Sequence, residues 1–406
     1  YTDELYYYDH PEIRPLQVAF KEGGYQVYGT GKLFHHPAGA IDLRGWDEFH
    51  VRTPTQKEIG WPMDSWEHGA PLPDPYPHSK FNQIVRESTW NSFMEVGPIP
   101  NDREDEMADS LRTQWVVDLI AQEHNLPFFV GLGLYAPHYP NYAPQRFFDL
   151  YPLESIKRPP YKEDDLEDIP EIIRQNRKNR KANIHDKLEK LGEIEKMIQG
   201  YLASISYADH QLGRVLDALA ASPHADNTII VFWSDHGYAQ GQKGQWGKHT
   251  LWERTSNVPF LWAGPGIADG QPSTYTTSLV DIYPTLAEFC GLPTDEGWDG
   301  ESLVSTLQHP QSRAERTVWL PDDKPNSFAT INQDWRYIQY RDGSAELYNV
   351  KDDVNEWHNL ATDPAYANVV ETMKEQGPQT FATPGTPKKT LKMVTEGNTF
   401  HWVPKR

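Results

Sequence analysis

The chain has 406 residues, with 38 Lys+Arg against 58 Asp+Glu, for a net charge of −20. That length supports one large core, or a large domain with a smaller one, and 14 Trp, 21 Tyr and 15 Phe mark a globular chain rather than a disordered one. The acidic balance excludes a binder of nucleic acid or of an anionic membrane surface; the single cysteine, Cys290, excludes an intramolecular disulfide and a cysteine zinc cluster; no apolar run reaches the length of a membrane span.

The opening YTDELYYYDHPEIRPLQVAFKEGGY reads like the interior of a domain, so the expectation is a further segment upstream. Leu16 to Glu22 predicts a short helix stopped at Gly23-Gly24. Tyr25 to Tyr28 then has the content of a strand, leading into Gly29-Thr30-Gly31-Lys32. The stretch 44–100, rich in Pro, Trp and Gly, predicts loops with short elements. Asp105 to His124 carries apolar residues at helical spacing, and the apolar run Phe128 to Leu134 predicts a strand buried on both faces of a parallel sheet.

Residues 157–200 are strongly charged and mostly helical in pattern. They read as a solvated helical excursion, with a binding patch as the alternative. From Ile198 the helix continues with an apolar stripe of Tyr201, Ile205, Leu212, Val215, Leu216 and Leu219. Thr228 to Trp233 predicts a second buried strand and Val258 to Trp262 a third strand. Ser278 to Cys290 predicts a helix stopped by Gly291, which makes Cys290 a core residue. Past residue 310 the pattern changes to short alternating strands at 317–320, 328–331 and 335–340. The fold class is therefore α/β, a mostly parallel sheet sandwiched by helices, with a small C-terminal α+β subdomain carrying an antiparallel sheet. The domain boundaries are 1–310 and 311–406.

In open parallel sheets, functional groups sit just past the C-terminal ends of strands. Three such ends carry polar clusters. Lys32 with His35 and His36 suits an oxyanion, and reads equally as a surface lysine beside a loop histidine pair. His138, between Pro137 and Pro140, is rigidly held, and alone reads more readily as structural. Ser234-Asp235-His236-Gly237 is a natural half of a site for a hard cation, with Gly237 letting the chain turn. Lys248 lies close in sequence to that site and can place a positive charge on a substrate.

Ser-Asp-His-Gly at 234–237, Gly-Gln-Trp-Gly-Lys-His-Thr-Leu-Trp-Glu at 244–253 and Val-Pro-Phe-Leu-Trp-Ala-Gly-Pro-Gly at 258–266 together resemble the sulfatase family of the alkaline-phosphatase superfamily. The pattern is most similar to iduronate-2-sulfatase-like members. Gly31 to His35, Ala136 to Pro140, Ser204 to Gly213, Leu279 to Ala287 and Glu346 to Val350 follow in the family's order, so the resemblance spans about residues 5–360. It implies a sulfuric ester hydrolase that binds one Ca²⁺ and uses a formylglycine made from Cys or Ser. It implies that Asp235 and His236 are metal ligands, although His236 stands where many relatives have Asn. Lys32 and Lys248 would hold sulfate oxygens, His35 would help a sulfated intermediate collapse, and His138 would contact the sulfate or assist the leaving oxygen together with Lys248. His36, Tyr238 and His249 would line the substrate pocket.

The family's Cys/Ser-x-Pro-x-Arg nucleophile motif and its first pair of Asp ligands do not occur in the sequence. The expectation is that both belong to a missing N-terminal segment, with which this chain would associate. The resemblance implies a sulfated polysaccharide or oligosaccharide as substrate. It also implies a periplasmic or secreted location, with no nucleic acid and no membrane span. The alternatives are a phosphoester or phosphonate hydrolase of the same superfamily, and a non-catalytic carbohydrate-binding relative.

Overall fold

A computed structural model describes residues 10–34, 42, 44–50, 94, 96–180, 182–295, 297–311, 315–322, 324–381, 391–396 and 399–404. His35, His36 and most of the 44–100 stretch lie outside the described residues. The chain divides into two compact units. One holds residues 2–157, 188–226 and 385–406; the other holds 158–187 and 227–384.

In the first unit the Leu16–Glu22 helix forms where the sequence places it, ending at Gly23 before Gly24 takes φ 86°. It delivers the chain into the Gln26–Gly31 strand, the middle of a parallel three-stranded sheet between Glu48–His50 and Phe128–Gly133. A second parallel pair joins Val96–Ile99 to Asn141–Pro144. The Phe128–Gly133 strand is half-buried along its whole length rather than fully covered. It is an edge strand among the described residues, bonded on one side only, which accounts for the difference.

The Ala108–Ile120 helix packs on the 27-residue Ile194–Ala220 helix. The predicted apolar stripe on the longer helix is buried only in part: Leu219 is buried, while Tyr201, Leu212 and Val215 are half-buried. Ile205 is 40% and Leu216 38% exposed, while Met197, Gly200, Ala203, Ser204, Tyr207 and Gln211 are buried. Close approach decides the face. A Cβ on Gly200 would lie 1.8 Å from Val96 Cγ2, and the Tyr207 hydroxyl hydrogen-bonds Ser110 Oγ at 2.8 Å. Small and hydrogen-bonded side chains let the elements approach where larger apolar ones would not.

In the second unit Ile230–Trp233 pairs antiparallel with Phe260–Ala263. Both strands are partly open: Trp233 is 40% and Leu261 56% exposed, against the buried strand the sequence predicts at 228–233. Each has only the other as a partner among the described residues. The Ile282–Cys290 helix ends at Gly291 in the left-handed region, φ 62°, and Ser278 and Asp281 form a reciprocal capping box before it. Cys290 is half-buried rather than in the core.

Four antiparallel strands follow in simple order, Val318–Pro321, Phe328–Ile331, Trp335–Gln339 and Ala345–Asn349; the alternating pattern predicts the first three, and the structure adds the fourth. Alternation gives the sheet two buried faces. Phe328, Tyr337 and Leu347 pack with Met373, whereas Ala329, Ile338 and Tyr348 pack with Ile169, Leu251 and Trp252. The second face also buries Glu346, whose carboxylate accepts from Trp252 Nε1 at 2.7 Å and from the Tyr340 and Tyr348 hydroxyls at 2.6 Å each.

Candidate functional site

In the first unit the ends of two paired strands carry the candidate residues. Gly31 and Gly133 are register partners, and the chains pass so closely there that a Cβ on Gly31 would lie 2.0 Å from the Gly133 carbonyl oxygen. Gly31 also takes φ 76°, so glycine is required twice over. This crossing projects Lys32, whose N–H donates to Gly133 O at 2.8 Å and whose ammonium stands 5.8 Å from the Tyr135 ring centroid.

His138 sits in the turn after the Phe128–Gly133 strand. Its ring lies 4.7 Å from that of Tyr135, and its Nδ1 lies 2.5 Å from Tyr139 O. A carbonyl can only accept, so Nδ1 carries the hydrogen and Nε2 is the atom able to exchange a proton.

What fixes this turn is a residue that motif reading missed. Asp109, fully buried, accepts from the N–H of Tyr135 at 2.9 Å and of Ala136 at 2.9 Å, and pairs with buried Arg112 at 3.1 Å. Burial raises its pKa to about 6, against the opposing pull of the two N–H donors and Lys32. The same burial lowers the Arg112 pKa to about 10.

In the second unit Ser234-Asp235-His236 follows the end of the Ile230–Trp233 strand. His236 Nδ1 donates to Gly237 O at 2.8 Å, which leaves Nε2 as the acceptor. The Lys248 ammonium meets it at 2.7 Å, and Asp235 Oδ2 lies 3.5 Å from the same nitrogen. Gly237 serves close approach rather than the turn the sequence suggests. A Cβ there would stand 2.2 Å from Arg254 O, and its N–H bonds Thr255 O at 3.0 Å. Lys248 is set between Gly247 at φ 118°, which glycine adopts freely, and His249 at φ 65°, a conformation that a non-glycine residue holds only where surroundings enforce it. Tyr238 is half-buried; the Cβ that Gly247 lacks would lie 3.6 Å from its hydroxyl. His249 is exposed.

The hairpin before Lys248, Ala239–Gln240 with Trp246–Gly247, is pinned by charge. Lys243, at φ 50° and 4% exposed, bonds buried Asp165 at 2.7 Å and the Glu356 carbonyl, under the rings of Trp252 and Tyr348. Arg336, almost wholly buried, pairs with Glu253 and stands 3.0 Å from Glu356 Oε1, in poor alignment for a hydrogen bond. Glu356 also accepts from Glu253 N at 3.0 Å; burial raises its pKa to about 7. Lys243, Asp165, Arg336 and Glu356 belong to none of the motifs quoted above, and the partners of Lys243 are 78 and 113 residues away from it.

Asp235 offers one carboxylate, and His236 offers Nε2 to a cation only where the Lys248 hydrogen bond gives way. A calcium ion takes six to eight donors, mainly oxygen. The pair fits as part of such a shell. It is not a complete one, and among the described residues no group of three or more His, Cys, Asp or Glu could hold a metal.

Comparison with known proteins matches residues 14–292 to the family Sulfatase and residues 241–380 to the C-terminal family of N-sulphoglucosamine sulphohydrolase. A sulfatase of Formosa agariphila is 38% identical over 377 residues, covering 91% of this chain and 70% of that protein. Mouse iduronate 2-sulfatase is 26% identical, with 79% of this chain and 62% of its own length covered, so the chain spans less than two thirds of that relative. Among solved structures, the phosphonate monoester hydrolase of Agrobacterium radiobacter superposes with a TM-score of 0.68 at 18% identity, over 97% of this chain and 84% of that one, a likeness of fold.

Proposed function

The chain belongs to the sulfatase family of sulfuric ester hydrolases, and on that premise we propose that it acts in removing sulfate from a sulfated carbohydrate. The observation that carries the reading is the Lys248 ammonium, held 2.7 Å from a neutral imidazole nitrogen of His236 and beside Asp235 at a strand tip. A cation kept there by a neutral partner retains its full charge for an incoming sulfate oxygen. The likeness to iduronate 2-sulfatase supports a sugar as the alcohol part of the ester.

The family's calcium ion, toward which Asp235 and His236 would contribute, and its formylglycine would supply polarisation of the sulfate and the attacking oxygen. This chain's own residues bind and move protons. Lys248 neutralises charge on sulfate oxygens and, as an ammonium, is able to pass a proton to a departing alkoxide. Lys32, at the end of its own strand, offers an ammonium suited to an oxyanion. His138, with Nδ1 committed to Tyr139 O, exchanges a proton only through Nε2. We further propose a periplasmic or secreted setting.

The experiment is turnover by the full-length protein of sulfated disaccharides and 4-nitrophenyl sulfate, read as sulfate by ion chromatography, and of a phenyl phosphonate monoester, read as released phenol. Turnover of a sulfated disaccharide above both other classes supports the reading. Preference for the phosphonate ester overturns it.

A further inference from the structure

We propose that Tyr161 is a stacking platform for a pyranose ring of a sulfated oligosaccharide, a subsite beyond the group that is desulfated; this rests on the carbohydrate reading above. The ring is 50% exposed, yet it is not loose. One face lies on His185, with centroids 5.0 Å apart and planes 12° from parallel. His185 is itself fixed, since Trp246 Nε1 donates to its Nδ1 at 3.1 Å and buried Trp246 lies 6.4 Å behind it. Gly241 leaves room for this: a Cβ there would come within 3.2 Å of His185 Nδ1.

The far end of the segment is anchored too. Four residues past Tyr161, Asp165 turns inward to Lys243, and Ile169 enters the core. Pro159-Pro160 stiffens the approach to the ring. An aromatic face presented with its rotamer already fixed loses little entropy on binding, and its negative π surface suits the C–H face of a sugar.

Charge supports the same occupant. In a chain of net charge −20, Tyr161 lies between Arg158 and Lys162, cations suited to sulfate groups; Glu163 and Asp164 follow, with Asp164 drawn to Lys162 at 3.4 Å. Both supports of the platform, Trp246 under His185 and Lys243 under Asp165, come from the hairpin that runs directly into Lys248. Trp246 and Lys248 are two residues apart, at most about 7 Å of chain. The hairpin thus carries both the support of the Tyr161 ring and Lys248.

The test is isothermal titration of the full-length protein with a chondroitin sulfate hexasaccharide, a carrageenan hexasaccharide and the disaccharide of each. The expected result is that one hexasaccharide binds at least fivefold more tightly than its disaccharide. Tyr161→Ala removes that margin, Tyr161→Phe keeps it, and disaccharide affinity stays within twofold throughout. Equal affinity for short and long ligands, an unchanged margin in Tyr161→Ala, or no binding of any hexasaccharide overturns the proposal. Sulfate release from the disaccharides is read separately. Release without a length preference refutes only the platform, and a length preference without release refutes only the hydrolase reading.

Discussion

Asp109→Asn tests how the His138 turn is held. The carboxylate has three commitments: the N–H of Tyr135, the N–H of Ala136 and the Arg112 guanidinium. The amide keeps one oxygen, enough for the two N–H donors, but turns an NH₂ toward Arg112, whose side chain is 5% exposed. Removing one partner of a buried pair leaves an uncompensated charge and costs about 3–5 kcal/mol. The ionised carboxylate is itself held at a disadvantage. With its pKa raised from 3.8 to about 6, it is worth about 3 kcal/mol less in the folded chain above that pH than in the unfolded one. An acid with a raised folded pKa binds its proton more readily when folded. Stability from this group is therefore greatest below pH 3.8 and falls as pH rises toward about 6. Urea unfolding followed by tryptophan fluorescence at pH 7 reads the first effect, and the same series from pH 4 to 7 reads the second. The two effects oppose each other at pH 7: unpairing Arg112 costs about 3–5 kcal/mol, and removing a buried ionised carboxylate offsets about 3 kcal/mol of it, so the variant loses about 0–2 kcal/mol and no longer shows the Asp109 contribution to the pH slope. A gain in stability above about 1 kcal/mol at pH 7, or an unchanged slope, refutes the view that the Asp109–Arg112 pair holds this turn.

Three further outcomes are expected. Lys248→Ala lowers turnover of the full-length protein by about two orders of magnitude or more, as when one transition-state charge contact is lost; steady-state kinetics with near-normal kcat would remove Lys248 from the chemistry. Gly237→Ala drives a methyl to 2.2 Å from Arg254 O, so it destabilises the second unit by about 1–3 kcal/mol and weakens sulfate binding by calorimetry; an unchanged melting temperature would refute the close-packing role. Glu356, raised from 4.5 to about 7, makes folding stability decline as pH rises through that interval, and Glu356→Gln flattens the decline in urea titrations; an identical slope in both proteins would refute it.

Strand-end logic reached the polar clusters because it depends on local sequence. Lys32 directly follows Gly31, and Asp235-His236 follows Trp233 by two and three residues, where the chain leaves the sheet and side chains are free to converge. The supporting charges were not legible. Asp109 acts on a turn 26 residues away, and Asp165 reads as half of an Asp-Asp pair on a charged excursion until Lys243 is seen to reach it across 78 residues. Nor does the 3.6-residue period choose a face where backbone approach decides. On the Ile194–Ala220 helix, Gly200 and Ser204 are buried and Leu216 is not.

These buried charges share one logic. An apolar replacement of similar volume would often stabilise a core as well or better, so their worth lies in where they hold the backbone. Asp109 captures two successive N–H groups at the start of the His138 turn. Lys243, itself forced to φ 50°, ties the tip of a two-residue-stranded hairpin to Asp165 and the Glu356 carbonyl. Such a hairpin has too few ladder bonds to keep its own geometry. Yet it must present Lys248 between two left-handed residues, with its ammonium on His236. Directional bonds from a charged side chain supply what the short ladder cannot. A methionine at position 243 would fill the same space, but it could fix neither the angle of the hairpin nor the segment that carries Tyr161.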